Sequence, residues 1–268
     1  MLWKTEHDEL MGFTKYDRIV IYLFRHLARG HTLESLPDDL HFGKETIVEV
    51  MRQAVADGVI EKEVKNVADI KYTYDSRREL PSEVEQAGPR TWLQNGKSKY
   101  IFRKTKRKNL IDFPEILGEI PSSKTIADVT PQFISELLGT DEQAVFTRVR
   151  NAGLLDEVLG FKVWPIQGHH RTSVSYGQIE IDEVHAGIDN ENVTIVPISG
   201  KGGTDKLSWS QALNLNTYGT EKAPRSGLGV RSLGLWRDYQ NTIWIVEFTS
   251  GANIDEIEIE HVHRFKFR

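Results

Sequence analysis

The chain has 268 residues, with 34 lysines and arginines against 39 aspartates and glutamates, a formal charge of −5, 39% hydrophobic and 27% charged residues, and no cysteine. That composition excludes a disordered chain, a disulfide framework and a thiolate metal site. No apolar run is long enough to cross a bilayer, and the opening MLWKTEHDELMGF lacks the apolar stretch of a signal peptide, so no membrane partner and a cytoplasmic location are expected.

The charge is unevenly spread. The run GKSKYIFRKTKRK, Gly96 to Lys108, holds seven cationic residues and no acid, while acids gather in IEIDE (Ile179 to Glu183) and ANIDEIEIE (Ala252 to Glu260). One basic patch and separate acidic clusters suit a chain that grips a polyanion in one place and a cation in another.

In chain order, Tyr16, Val20, Leu23, Phe24 and Leu27 fall at helical spacing, and Gly30 follows as a stop. TLESLPDDL, from Thr32, reads as a short second helix. Ile47, Val50, Met51 and Ala54 predict a third over Gly43 to Asp57, capped by Gly58. DIKYTYD (Asp69 to Asp75) and KYIFRKTK (Lys99 to Lys106) read as strands. Three helices followed by a strand pair predict a winged-helix-like DNA-recognition domain over residues 1–108, although the stretch between the strands is long for a wing. Lys44, Arg52 and Gln53 would lie on the reading helix. Lys97, Lys99, Arg103, Lys104, Lys106, Arg107 and Lys108 would meet phosphates, giving salt-dependent affinity without base choice.

Asn109 to Val129 holds two prolines and little periodicity and reads as a surface connector. Thr130-Pro131 opens a helix closed by Gly139, and Thr140-Asp141-Glu142 opens another running to about Asn151. Arg148 and Arg150, on that second helix, are weaker candidates for DNA contact.

Two later segments carry the chemistry. In YGQIEIDEVHAGID (Tyr176 to Asp189), IEIDEV alternates. A strand there sets Glu180 and Asp182 on one face and Ile179, Ile181 and Glu183 on the other. VTIVPIS is an almost wholly apolar strand that ends in Ser199-Gly200-Lys201-Gly202-Gly203. Pro197 within it removes a ladder donor and predicts an edge or a local distortion. Phosphodiester hydrolysis needs a divalent cation and an oriented water. Asp182, Glu180 and a strand carbonyl near Gly200 would hold Mg²⁺, with Ser199 beside them. Lys201 would orient or deprotonate the water, or stabilise the phosphate in the transition state. A phosphate-cradling reading of SGKGGTDKLS fails, because Asp205 stands where such a loop needs glycine and Leu207 where it needs Ser or Thr.

At these residues, GHHRTSVSYGQIEIDEVHAGID followed by VTIVPISGKGG, the chain resembles a group of bacterial and archaeal restriction endonucleases whose members read NHLRTTV, GQIEIDELYVGVD and IPVQAKGG. The likeness runs from about Asn109 to the C-terminus and includes TDEQAVFTRVR. It implies an α/β (α+β) architecture with a PD-(D/E)XK endonuclease domain over residues 109–268, built on a mixed sheet flanked by helices. Asp182 matches the metal-binding acid and Lys201 the lysine. Ser199-Gly200 departs from the usual Gln-Ala. Glu183 is a weaker candidate, Arg171 is expected near DNA, His169 and His170 at metal or phosphate, and Gln211 at the rim of the site.

The resemblance further implies a Mg²⁺-dependent type II site-specific deoxyribonuclease acting on double-stranded DNA. A homodimer is expected, with a cognate DNA methyltransferase in the same system. The alternatives are a modification-dependent or structure-specific nuclease of the same fold, or a non-catalytic winged-helix DNA-binding regulator. NTIWIVEFT (Asn241 to Thr249) and EIEIEHV read as the closing strand pair.

Overall fold

The computed structural model describes residues 12–139, 142–222 and 228–268. The N-terminal segment read as lacking a signal peptide, and Thr140-Asp141, read as a helix start, lie outside the described residues. The chain divides into two compact units, one of Met1–Asn109 with Ser175–Gly177, the other of Leu110–Val174 with Gln178–Arg268.

The first unit runs α1 (Lys15–Leu27), β1 (Asp39–Gly43), α2 (Lys44–Ala56), α3 (Val67–Ser76), β2 (Arg90–Gln94) and β3 (Lys99–Lys104), with sheet order β1-β3-β2, all antiparallel. Thr14 and Asp17 form a capping box at the start of α1, which buries Ile19, Val20, Leu23 and Phe24. The same Asp17 accepts from the Tyr74 hydroxyl at 2.8 Å and from Arg78 at 2.9 Å, which pins α3 to α1.

Two expectations fail here. The Asp69 to Asp75 segment is helix, not strand. Its buried residues Val67, Ile70, Thr73 and Tyr74 recur at helical spacing, and Asn66 caps the Ala68 N–H. The apparent alternation of Ile70, Tyr72 and Tyr74 misled, because Tyr72 is simply exposed. Nor does the segment from Thr32 form a helix: Thr32 and Ser35 bond each other in a tight turn, Pro37 follows, and Asp39–Gly43 instead pairs with β3. The partner of β3 in its hairpin is therefore β2, across Asn95 to Ser98, so the long polar insertion is not part of the wing.

The second unit contains α4 (Phe113–Leu117), β4 (Lys124–Ile126), α5 (Gln132–Leu137), α6 (Glu142–Asn151), α7 (Leu154–Leu159), β5 (Val163–Val174), β6 (Gly177–Asp189), β7 (Asn192–Gly202), α8 (Trp209–Lys222), β8 (Gly229–Val230), β9 (Ser232–Arg237), β10 (Thr242–Phe248) and β11 (Ile259–Phe267). Eight strands form one mixed sheet in the order β4-β11-β10-β9-β7-β6-β5, with β8 beside β7. The pairings β4–β11, β7–β8 and β7–β9 are parallel. The parallel step from β7 to β9 needs a crossover, which α8 supplies. Val145, Phe146 and Val149 of α6 and Leu154, Leu155 and Leu159 of α7 pack on Val196, Ile198, Leu233, Leu235, Ile243 and Ile245 of the sheet. From α8, Trp209 meets Phe248 edge to face and Asn216 donates to the Thr249 carbonyl. No described helix is long and apolar enough to cross a membrane.

The expected connector, Asn109 to Val129, is built into this unit. It carries α4, Leu110 bridges Ser208, and β4 adds a parallel strand to β11. Pro197 lies not at an edge but where the outer partner of β7 changes from β8 (Thr194, Ile195) to β9 (Ile198 to Gly202). Its missing N–H falls in that gap and costs no ladder bond.

Candidate active site

The site forms where β6 and β7 part. Their antiparallel ladder runs from Asp189↔Asn192 to Glu183↔Ile198 and stops. Beyond it, β7 continues only alongside β9, from Ser199↔Gly234 to Gly202↔Arg237. In unbroken register Gly200 would face Ile181. Instead the Asp182 Oδ2 accepts the Gly200 N–H at 2.8 Å and the Ser199 hydroxyl at 3.0 Å. A carboxylate thus replaces a ladder carbonyl and holds the crevice open. Charge-assisted bonds of this kind contribute about 1.5–3 kcal/mol each.

Lys201 is only 4% exposed, and a buried charge needs partners. Its Nζ lies 3.3 Å from Oε1 of Glu142 at the start of α6. Burial raises the Glu142 carboxyl above its ordinary range; Lys201 opposes that shift, while Asp182 and the buried Asp205 reinforce it. Glu142 therefore feels two further carboxylates as well as the ammonium it faces. α6 approaches β7 closely because residue 200 is glycine: a Cβ there would lie 2.5 Å from the Phe146 ring.

Sequence reasoning missed Glu142 and Asp205. Glu142 was read only as part of a helix start, and Asp205 only as an objection to a phosphate loop. The available signal was the segment TDEQAVFTRVR, which the sequence reading singled out without assigning it a role.

Asp182, Ser199, Gly200 and Lys201 come together as expected. Glu180 does not join them. Its carboxylate accepts Arg171 Nε at 2.9 Å and lies 3.7 Å from Nδ1 of His169, both on β5. Alternation puts Glu180 on the Asp182 face, but the neighbouring strand captures its charge. Gly200 donates its N–H to Asp182. Glu183, on the opposite face and buried, accepts Arg150 at 2.6 Å and meets His185 at 2.7 Å, which fastens α6 to β6. Arg150 is therefore a strut, as is Arg148, paired with Asp128 at 2.7 Å. His170 packs edge to face on Tyr218, and Gln211 accepts from Ser208 at 3.3 Å.

Among the expected DNA contacts in the first unit, several charges are already matched. Arg103 makes a two-pronged pair with Asp39, its cross-strand neighbour. Lys104 lies 3.6 Å from Asp38, Lys108 3.8 Å from Glu85, and Arg52 3.8 Å from Glu63. A run without acids in sequence thus meets acids in space. Lys97 and Lys99 stand exposed at the β2–β3 hairpin, Lys44 is exposed at the start of α2, and Lys106 and Arg107 follow β3.

Mg²⁺ takes oxygen ligands from one or two carboxylates and keeps several waters. Asp182 and Glu142, which influence each other electrostatically, are two carboxylates of the kind that demand calls for. Among the described residues no three His, Asp or Glu side chains are gathered as a metal cage. Compared with family models, curated proteins and solved structures, the chain matches none.

Proposed function

We propose that the chain is a Mg²⁺-dependent nuclease of the PD-(D/E)XK kind that hydrolyses phosphodiester bonds in duplex DNA, in particular a type II restriction endonuclease. The observation that carries the reading is the meeting of Asp182 with the backbone leading to Lys201, at the parting of β6 and β7, with Glu142 bonded to the lysine. An acid on one strand, a lysine on the next and a second acid on the flanking helix form a site for a cation, a phosphate and a water.

Asp182 and Glu142 would hold the cation. Mg²⁺ in such a site supplies neutralisation of phosphate charge and makes a bound water more acidic. Asp182 is fixed by two donors, so it is preorganised rather than searching among rotamers. The Lys201 ammonium, steered by Glu142, faces the charge that develops on the phosphate. Buried Ser199 and Ile181 keep bulk water from the floor of the crevice.

The first unit supports a DNA-reading role. Helix, strand, two helices and a hairpin, with β1 beside β3, is the order of a winged helix. In that design the second helix of the pair enters the major groove. This shifts the expected reading helix from α2, with Lys44 and Arg52, to α3. Lys97 and Lys99 at the hairpin remain suited to phosphate. A homodimer, a cognate methyltransferase and a cytoplasmic setting follow from the restriction reading.

One observation favours a second reading. Ser199 stands where nucleases of this kind carry a further polar or acidic ligand, and a hydroxyl binds a cation weakly. That favours a DNA-binding regulator without cleavage. The test is incubation of long unmodified duplex DNA with the protein in Mg²⁺ and in EDTA, beside Lys201→Ala. Discrete Mg²⁺-dependent fragments, lost in the variant, are expected. Intact DNA that shifts on a gel, with methylated and branched DNA also uncut, supports the regulator.

A further inference from the structure

We infer that Glu180 is a positioning residue that presents Arg171 and His169 to the phosphate next to the one being cut, and is not a metal ligand. The inference rests on the nuclease reading and deepens it by assigning a contact on the same strand of substrate.

Glu180 lies two residues before Asp182 on β6, a step of about 6.6 Å. That is of the order of the distance between neighbouring phosphates along a nucleic-acid strand. Both side chains share a face by alternation. The Glu180 carboxylate is engaged by β5, with Arg171 Nε at 2.9 Å and His169 Nδ1 at 3.7 Å. Such a pair adds little to stability when exposed. Arg171 is 68% exposed and His169 64%, so their remaining donors face outward. An arginine braced through Nε keeps the other nitrogens of its fork for an oxyanion.

The backbone supports this reading. His169 has φ of +46°, a left-handed conformation in mid-strand that costs a non-glycine residue free energy and often marks a working site. Just before it, Gly168 runs against β6, where a Cβ would lie 3.9 Å from the Asp182 carbonyl oxygen. The irregularity therefore lies directly beside Asp182, where a bulge can re-aim a side chain.

The experiment compares the wild-type chain, Arg171→Ala, Glu180→Gln and Asp182→Asn on one unmodified duplex. Binding is measured in EDTA over a salt series, and cleavage over a Mg²⁺ series. Arg171→Ala is expected to weaken binding and to lower the slope of log K against log salt by about 0.9, one phosphate contact. Glu180→Gln is expected to leave the Mg²⁺ midpoint within twofold while weakening binding in EDTA and lowering the salt slope in the same direction as Arg171→Ala. Asp182→Asn should raise the Mg²⁺ midpoint or abolish cleavage. A Glu180→Gln midpoint that rises like that of Asp182→Asn, or an unchanged salt slope in Arg171→Ala, overturns the inference and leaves the nuclease reading standing. A wild-type chain that neither binds nor cuts duplex overturns both.

Discussion

Asp182 and Gly200 are joined across a sheet that is no longer a sheet at that point. The carboxylate accepts the main-chain N–H at 2.8 Å, one residue beyond Glu183 on β6 and two beyond Ile198 on β7, the last paired residues of the two strands. Side chain substitutes for backbone, the strands separate, and the lysine that follows meets Glu142 of α6. The opening of the crevice and the fixing of its acid are one event.

The close approach behind this bond is testable. Gly200→Ala would drive a methyl group into Phe146, whose ring carbon lies 2.5 Å from the ideal Cβ position. A loss of about 1–3 kcal/mol is expected from such overpacking. Phe146→Leu in the same chain should recover part of it. Thermal unfolding of the two single variants and the double reads the result; additive losses would contradict the contact.

Arg150 and Glu183 tie the helix bearing Glu142 to the strand bearing Asp182. Glu183 is 4% exposed, so Arg150→Ala leaves a buried carboxylate with only His185 beside it. A cost of about 3 kcal/mol is expected, the low end for a broken buried pair because the guanidinium is partly exposed. Chemical denaturation measures it, and a loss below about 1 kcal/mol would contradict the strut.

The raised carboxyl of Glu142 has a pH consequence. Burial first, and then Asp182 and Asp205, favour its protonated form against the pull of Lys201. As pH rises through the ordinary carboxylate value of about 4.3, the unfolded chain ionises before the folded one, so this group favours folding at low pH and loses that contribution as pH rises through its raised value. For the site the sign is opposite: below the raised value Glu142 lacks the charge that would hold a cation. Proton and cation therefore compete for Glu142, and the Mg²⁺ concentration that half-saturates cleavage is expected to rise as pH falls toward the ordinary carboxylate value. A half-saturating concentration that stays constant down to that value would show that Glu142 is not required as an anion.

What was legible in the sequence followed periodicity and burial. α1, α2, β6, β7 and β10 were readable because their apolar residues recur at a single period. The α3 segment was not, since Ile70, Tyr72 and Tyr74 mimic a strand and only packing against Asp17 distinguishes the two. The Asn109 to Val129 segment looked like a connector because a three-residue strand has no period. Asp182, Ser199, Gly200 and Lys201 were legible as an acidic strand and a glycine-flanked lysine. The direction of Glu180 was not, because alternation gives the face of a residue but not which neighbouring strand takes its charge. Glu142, fifty-nine residues from Lys201, is joined to it only by the fold. The basic run Gly96 to Lys108 appeared unopposed because Asp38, Asp39 and Glu85 lie elsewhere in the chain.

The central claim, that Asp182 and Lys201 form a hydrolytic site for duplex DNA, is tested most directly by single-turnover cleavage with excess protein in Mg²⁺, using wild type, Asp182→Asn and Lys201→Met, with binding measured in EDTA. Wild type is expected to fragment the DNA, each variant to lose at least about 10²-fold in rate, and binding to be retained within a few-fold. Equal cleavage by all three proteins, or loss of binding that matches loss of cleavage, would contradict the claim.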